Sequence, residues 1–517
     1  MSIRNGIISF IIAFLGITVC NAQKHDYTWL TGYESNAPDT FQGFRLGNTE
    51  FDFNQSPVAI TFDSIQMNFD WTNTSFSDSN GNLLFYTNGI YVANALDEKI
   101  ANGDSLNAGW EQYDWDPTIT QLGYRVAQGI EALPDVAHPD FYYLLHSIVD
   151  SVPGTNGLNV YYSKILSTYL NMADNGGHGQ VIYKNRPVLT GDFSGDLSAV
   201  KHGNGRDWWV LVQKRNTNCF YTILLDTGGL HVVDSACLGT SVLSGEVSNS
   251  CFSPNGSKFV SISSYSGLNI YDFDRCTGKL NNPLHLAMPI IADSALYRMG
   301  VAISLNSRFL YVSITRHIYQ LDLWNDDIFN HIDTIANYDG WYFLEPSNGA
   351  FFHFTQLAPD GKIYISCGDM PFYNVINAPD SLGAACHFSA HSVSLIGYTI
   401  GMPNYPNYRL GSLTQSQCDS LSTATQDIRD AKEQILKVFP NPTNDVVTID
   451  YGFTDWNKGA VNAEITNSLG QVVYTQQLPM YSGFQKIDIS QFAAGSYTVF
   501  IKRNNAVVAT NKLVVVH

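Results

Sequence analysis

The feature that most constrains this chain is a repeat. Six stretches share one form, a turn of Asn, Asp, Gly, Pro or Ser followed by a strand rich in aromatic and β-branched residues. They are "SDSNGNLLFYTNG" from Ser77, "HPDFYYLLHSIV" from His138, "HGNGRDWWVLVQ" from His202, "SPNGSKFVSIS" from Ser253, "SLNSRFLYVSI" from Ser304 and "APDGKIYISCG" from Ala358. The turns centre on Asn80, Asp140, Asn204, Asn255, Asn306 and Asp360, about 50 to 65 residues apart, a spacing that suits a four-stranded propeller blade with its loops. Further strand-like runs fill the gaps, among them "GLNIYDFDRCTG" and "HIYQLDLWN". Helical periodicity is nearly absent, the exception being a short stretch around Thr425 to Leu436.

Six units are complete between about Met67 and Leu395, and strand-like material remains on both sides. It includes "FRLGNTEFDFN" and "PVAITFDSI" before them and "IGYTIGMPNYPNYRLG" after. Closing a ring removes exposed sheet edges. The expectation is therefore an all-β chain with a seven-bladed β-propeller over residues 23–412, six blades complete and one shared by the two ends. A six-bladed ring is the alternative. Composition agrees: 29 Tyr, 29 Phe and 41 Gly among 517 residues, with only 14% charged. The formal charge of −18 is spread without runs. It predicts an acidic surface and argues against nucleic acid, which needs basic patches.

Both ends carry separate signals. Arg4 followed by an apolar run from Ile7 to Val19 reads as a signal peptide over residues 1–22, cut between Ala22 and Gln23. Val19 before Cys20 lacks the small residue that lipidation requires. No later stretch is predicted to span a membrane. Beyond Gly411 the composition turns polar, giving a linker over 413–432, and a compact unit of short strands follows over 433–517. Its strand pattern predicts a small immunoglobulin-like β-sandwich. Removing Cys20 leaves seven cysteines, an odd number. Cys219 and Cys237 lie equidistant from Gly228, so a hairpin there sets them opposite each other as a possible disulfide.

Three stretches of the tail, "VFPNPTNDVVTI", "EITNSLGQVVYTQQL" and "ISQFAAGSYTVFI", resemble the C-terminal sorting domain of Bacteroidota proteins exported by the type IX secretion system. The resemblance implies motif roles for Pro440, Asn441, Pro442, Gly470, Gly495 and Tyr497. It also implies the secretion machinery as partner, and a cargo that passes the periplasm to be secreted or held on the outer-membrane surface. In that family the tail is commonly removed. Family members often end in basic residues, which "KLVVVH" matches only loosely. The preceding region, with "FDFNQSPVAITF" and "GMPNYPNYRLG", is similar to secreted Bacteroidota propeller proteins, and that likeness implies no chemistry.

Candidate chemistry is sparse. Trp110, Tyr113 and Trp115, beside Glu111, Asp114 and Asp116, could stack on and hydrogen-bond a sugar. "GDFSGD" with Asp192, Ser194 and Asp196, and "DSNGN" from Asp78 to Asn82, read as turns before calcium loops. His202 reads as a structural hydrogen-bonder. Trp208 and Trp209 alternate faces, so one is core and the other reaches a neighbouring blade. Glu131, Asp135 and His138 could serve acid–base work, with nothing in the sequence to bring them together. No metal spacing, cofactor motif or nucleophile elbow appears. A glycan-, protein- or envelope-binding protein is expected, with a hydrolase or lyase at the channel mouth as the alternative.

Overall fold

The structure is a computed structural model and describes residues 23–33, 47–108, 123–124, 126–153, 159–241, 248–263, 267–287, 299–342, 349–368, 370–399, 401–414, 416–418, 435–452, 461–468, 470–478, 482–503 and 506–516. Their regular structure is all β apart from three short 3₁₀ turns. Seven antiparallel sheets follow one another. The first holds β1 (Thr28–Tyr33), β2 (Gly47–Asp52) and β3 (Ala59–Asp63). The second holds β4 (Thr74–Ser77), β5 (Leu83–Thr87) and β6 (Val92–Asn94). The third holds β7 (Ile130–Pro134), β8 (Phe141–Pro153), β9 (Asn159–Asn171) and β10 (Gln180–Leu189). The fourth holds β11 (Ser198–Lys201), β12 (Trp208–Gln213), β13 (Cys219–Asp226) and β14 (Gly229–Cys237). The fifth holds β15 (Ser248–Phe252), β16 (Lys258–Ser263), β17 (Gly267–Asp274) and β18 (Lys279–Leu286). The sixth holds β19 (Met299–Ile303), β20 (Phe309–Ile314), β21 (His317–Asp322) and β22 (Ile332–Asn337). The seventh holds β23 (Thr355–Leu357), β24 (Ile363–Ile365), β25 (Met370–Ile376) and β26 (Phe388–Thr399).

Burial falls along each four-stranded sheet. In the fourth, every residue of β11 and all but the last of β12 are buried, β13 alternates, and β14 is mostly exposed. β19 and β20 are buried throughout, because sheets cover both of their faces, whereas β22 faces water. This is why "MGVAI" and "FLYVSI" lack the alternation of a half-buried strand. The turns form as their side chains dictate. The Asn204, Asn255, Asn306 and Asp360 side-chain oxygens accept from the backbone N–H two residues on. Such Asx turns tolerate a left-handed residue next, supplied by Gly256 at φ 72°. Asp78 likewise accepts from the N–H groups of Asn80 and Asn82, so "DSNGN" is a turn.

First strands of successive sheets neighbour one another, β1 by β4, β4 by β7, β11 by β15, β15 by β19 and β19 by β23. The third and fourth sheets meet where Leu197 N–H donates to the Gln128 carbonyl. β26 returns to pack on β1 and β2. There the Thr31 hydroxyl bonds the Thr399 hydroxyl, and the Phe51 and Tyr373 rings stack with centroids 5.8 Å apart. The two ends thus meet through side chains, and among the described residues no sheet mixes their strands. The shared blade expected from the sequence is replaced by a first sheet that is wholly N-terminal. Its β1 lies in "DYTWLTGY", which the sequence reading passed over.

The segment 401–411, expected as strand, is not one. Pro403 and Pro406 have no N–H to give a ladder. Instead it runs along the innermost strands, inside the ring. Asn404 Nδ2 donates to Glu131 Oε2 at 2.9 Å and to the carbonyls of Leu197 at 3.1 Å and Ile130 at 3.2 Å. Tyr405 OH bonds Ser75 Oγ at 2.6 Å, and Tyr408 OH donates to the Ala132 carbonyl at 2.7 Å. Asn407 Nδ2 donates to the Pro254 carbonyl, and Arg409 pairs with Asp26 through both of its terminal nitrogens, at 2.5 and 3.0 Å. The segment therefore touches the first five sheets. Beyond it Leu413 N–H donates to the Gly203 carbonyl, and Cys418 forms a disulfide with Cys276. A second disulfide joins Cys219 and Cys237, which face each other in the β13–β14 hairpin. Cys251, Cys367 and Cys386 are thiols.

The C-terminal part has two sheets. One is β27 (Ile435–Phe439), β28 (Val446–Gly452) and β31 (Ser482–Asp488). The other is ordered β30 (Val472–Leu478), β29 (Val461–Thr466), β32 (Gly495–Arg503) and β33 (Ala506–Val515). They share one apolar core that includes Val447, Ile449, Ile465, Val499, Ile501 and Leu513. β27 extends the unit upstream of the strands read from sequence and ends the helical reading of 425–436, whose remainder lies outside the described residues.

Asn404→Ala strips the donor from two buried carbonyls and a carboxyl oxygen. At about 1–3 kcal/mol per unpaired buried group, shared among bent and alternative partners, a loss of about 2–4 kcal/mol is expected in urea unfolding. A change below about 0.5 kcal/mol, the scatter of ordinary surface substitutions, would contradict the role given to the segment. Cys276 and Cys418 close a loop of 142 residues, against 18 for Cys219 and Cys237. Chain entropy makes the first worth about 5 kcal/mol and the second about 3. Paired Cys→Ser variants melted side by side should rank in that order.

Candidate functional site

The inserted segment fills one side of the channel and leaves a cavity of about 220 Å³ on the other. It is lined by β11, β15, β19 and β23 and by Glu131, Gln128, Asn404, Asp26 and Arg409. Glu131, Ser198, Ser250 and Thr355 sit on the first strands of four sheets, β7, β11, β15 and β23. Glu131 is the second residue of β7 and is 1% exposed. Its Oε2 accepts from Asn404, and its Oε1 has no partner. Thr355, the first residue of β23 and 5% exposed, also has a hydroxyl without a partner. The Ser198 and Ser250 hydroxyls bond each other at 2.8 Å, and Gln128 holds both the N–H and the carbonyl of Ser250. A buried polar group left unpaired costs about 1–3 kcal/mol.

The electrostatics favour a neutral interior. Burial pushes the Glu131 carboxyl well above its usual 4.5, against the hydrogen bond from Asn404 that favours the ionised form. Asp26, 3% exposed, is tied to Arg409. Cys251 lines the same wall, but burial pushes its thiol up to about 12, too high for a nucleophile. Among the described residues no three His, Cys, Asp or Glu side chains gather as a metal site.

The sequence candidates are dispersed. Glu131 faces the channel. Asp135 accepts from Tyr169 OH and lies 3.1 Å from His138 in the turn between β7 and β8, so the three do not converge. His202 Nδ1 accepts from Asn204 N–H in its own turn. Trp208 packs on Tyr408 in the core, while Trp209 reaches across to donate to the Arg275 carbonyl. In "GDFSGD" the Asp192 carbonyl and Ser194 N–H bond the turn after β12. Trp110, Tyr113, Trp115 and Ala22 lie outside the described residues. Gln23 accepts from Lys201 Nζ at 2.7 Å. Asp26, Asn404, Arg409 and Thr355 were not singled out. The available signal was the pair of Asn-Tyr steps, each following a proline, in "GMPNYPNYRLG", a run unable to pair as a strand.

The tail motifs have local explanations. The Asn441 carboxamide donates to the Lys512 carbonyl at 2.7 Å and accepts from Val514 N–H at 2.8 Å. A side chain between two prolines thus provides a donor that the proline backbone lacks, together with a second acceptor. Gly470 at φ 79° closes the β29–β30 hairpin, where Asn467 Oδ1 accepts from Gln471 N–H. Gly495 opens β32, and Tyr497 OH donates to the Ala493 carbonyl at 2.7 Å.

Because Glu131 has a raised folded pKa, its stabilising contribution is complete below its unfolded value near 4.5 and is lost as pH rises through the folded value. Glu131→Gln is therefore expected to flatten the fall in melting temperature above pH 5. The variant should melt above the parent at pH 8 and match it at pH 4. An unchanged slope would show that Glu131 ionises freely.

Solved structures with similar strand arrangements include a functionally unknown protein of Desulfotomaculum acetoxidans, 13% identical with a TM-score of 0.33, over 73% of this chain and 99% of that one. Others are a quinonprotein alcohol dehydrogenase-like protein of Bacteroides thetaiotaomicron (10%, 0.31, 73% and 76%) and Sqt1 of Saccharomyces cerevisiae (10%, 0.33, 78% and 87%). At these values they are likenesses alone. No curated protein matches the chain. The family described as the secretion system C-terminal sorting domain matches residues 437–516. The unit that Asn441 staples to its last strand is thus a type IX secretion system C-terminal sorting domain.

Proposed function

We propose that this is an exported binding protein, a seven-bladed β-propeller over residues 23–412 that receives its ligand in the channel and is delivered by an immunoglobulin-like sorting sandwich over 433–517. Seven successive sheets with neighbouring first strands support the blade count. The tyrosine at the start of β32, bonded to a carbonyl four residues upstream, supports the immunoglobulin-like reading, since such corners recur in these sandwiches. A signal peptide removed after Ala22 would leave the Gln23–Lys201 bond intact. The sorting domain indicates export, with the protein secreted or held on the outer-membrane surface, and no helix among the described residues is long and apolar enough to cross a membrane.

The observation that carries binding over turnover is the isolation of Glu131. Hydrolysis or elimination commonly pairs an acid with a base or nucleophile. Here the other cavity carboxylate, Asp26, is held by Arg409, and the one thiol is suppressed by burial. The cavity thus offers hydrogen bonds without a reacting pair.

Deleting residues 433–517 is expected to leave the ring in the periplasm, with the full-length protein in the medium or on the cell surface, as read by fractionation and immunoblotting. Normal surface appearance of the truncated chain would refute the delivery role. Turnover of any member of a glycoside or polysaccharide panel by the full chain would refute the binding role.

A further inference from the structure

The outer strand of the third sheet is covered where its counterparts are wet. β14, β18 and β22 expose most of their residues, whereas Val181, Ile182, Tyr183, Arg186 and Leu189 of β10 are all buried. Toward the start of β10 the cover is the loop after β6, where Lys184 bonds Asp104 and Asn185 bonds the Ser105 carbonyl. At Arg186 the cover is the sorting domain. The Arg186 guanidinium lies 3.8 Å from the centre of the Tyr183 ring and donates through Nη2 to the Tyr451 carbonyl of β28 at 2.5 Å. β31 packs on β10. Lys437 and Phe439 of β27 alternate with the core residue Val438 and so share the outer face of their sheet. With Pro187, Val188 and Leu230 they line a junction cavity of about 260 Å³. An arginine is seldom buried unless its head is held, and here the holder is a backbone carbonyl 265 residues further along the chain.

We propose that the outer edge of the third sheet is a docking surface for the sorting domain of the same chain, clamped by Arg186, so that address and cargo travel as one body. The tether makes a small contact sufficient. Cys418 is bonded to the ring through Cys276, and residues 419–434 join it to β27. A link of that length holds the domain at roughly millimolar effective concentration, so an interface too small to hold two separate molecules still closes within one chain. Docking also decides what stays open. The sheet of β27, β28 and β31 faces the ring and is closed to other partners. The four-stranded sheet keeps Val472, Val473 and Val507 exposed.

The chain from Gln23 to its last residue would be measured by small-angle X-ray scattering, with amide hydrogen exchange as the second readout. The parent is expected to scatter as one compact particle. Arg186→Glu removes the clamp, and a released domain could range about 20–24 Å from its tether, so the radius of gyration should rise by about 3 Å or more. Amides of β10 and β31, having lost their cover, should exchange about tenfold faster or more. Because Arg186 also stacks on Tyr183, a second variant acts from the other side of the contact. Phe439 is 43% exposed on the sandwich, and Phe439→Arg brings a further guanidinium against Arg186 and Lys437. It should open the particle in the same way. Arg308→Glu, which breaks the pair with Asp322 in the sixth sheet, is the control and should leave both readouts as in the parent. A parent that already scatters as two loosely joined bodies would overturn the proposal. So would a radius unchanged in Phe439→Arg or in a folded Arg186→Glu, or an equal change in Arg308→Glu.

Discussion

The structure depends on one side chain meeting the starts of two inner strands, β7 and β11, at once. Asn404 donates to carbonyls of the third and fourth sheets and to Glu131, while its own oxygen accepts from Gln128. Inner strands that converge on an axis leave backbone groups directed at a space too narrow for bulk water. Those groups need partners as much as any buried amide. The 401–411 segment supplies them from within, with hydroxyls from Tyr405 and Tyr408 and amides from Asn404 and Asn407. Closure of the ring is thus shared between packing of β26 on β1 and β2 and a peptide that ties the first five sheets from inside.

Burial follows from this arrangement. Strands next to the axis are covered on both faces, and strands at the rim are wet. The cavity lining holds one ion pair, Asp26 with Arg409, and the Glu131 carboxyl, whose proton affinity burial raises. A group can keep such a perturbed proton affinity only where water does not reach it. Glu131 is in that position because it is the second residue of β7, a strand next to the axis that is buried over its first four residues.

What was legible in the sequence was local. Asn204, Asn255, Asn306 and Asp360 announce their turns because the side-chain oxygen that makes the turn belongs to the turn itself. The strands after them follow from aromatic and β-branched runs. The hairpin that sets Cys219 opposite Cys237 is centred on its own glycines. What was not legible was long-range. Cys276 and Cys418 stand 142 residues apart with no spacing rule to join them. The course of "GMPNYPNYRLG" depends on a channel that exists only once the sheets have assembled. Glu131 could be named from sequence, but its isolation from Asp135 and His138 arises because it lies near the start of β7, whereas they belong to the turn that follows the strand. In the sorting domain the prolines were visible and their purpose was not, since the partners of Asn441 lie on the last strand.

The Cys276–Cys418 bond lies between the axial peptide and the stretch that leads to the sorting domain. A protease that severs the chain just after Cys418 would create a free carboxyl end only a few residues from the channel. Without the cross-link that end could fray back, residue by residue, and withdraw Arg409, Tyr408 and then Asn404 from the axis. With it the loose end is riveted to the fifth sheet, and delivery can finish by discarding its address without unthreading the cargo.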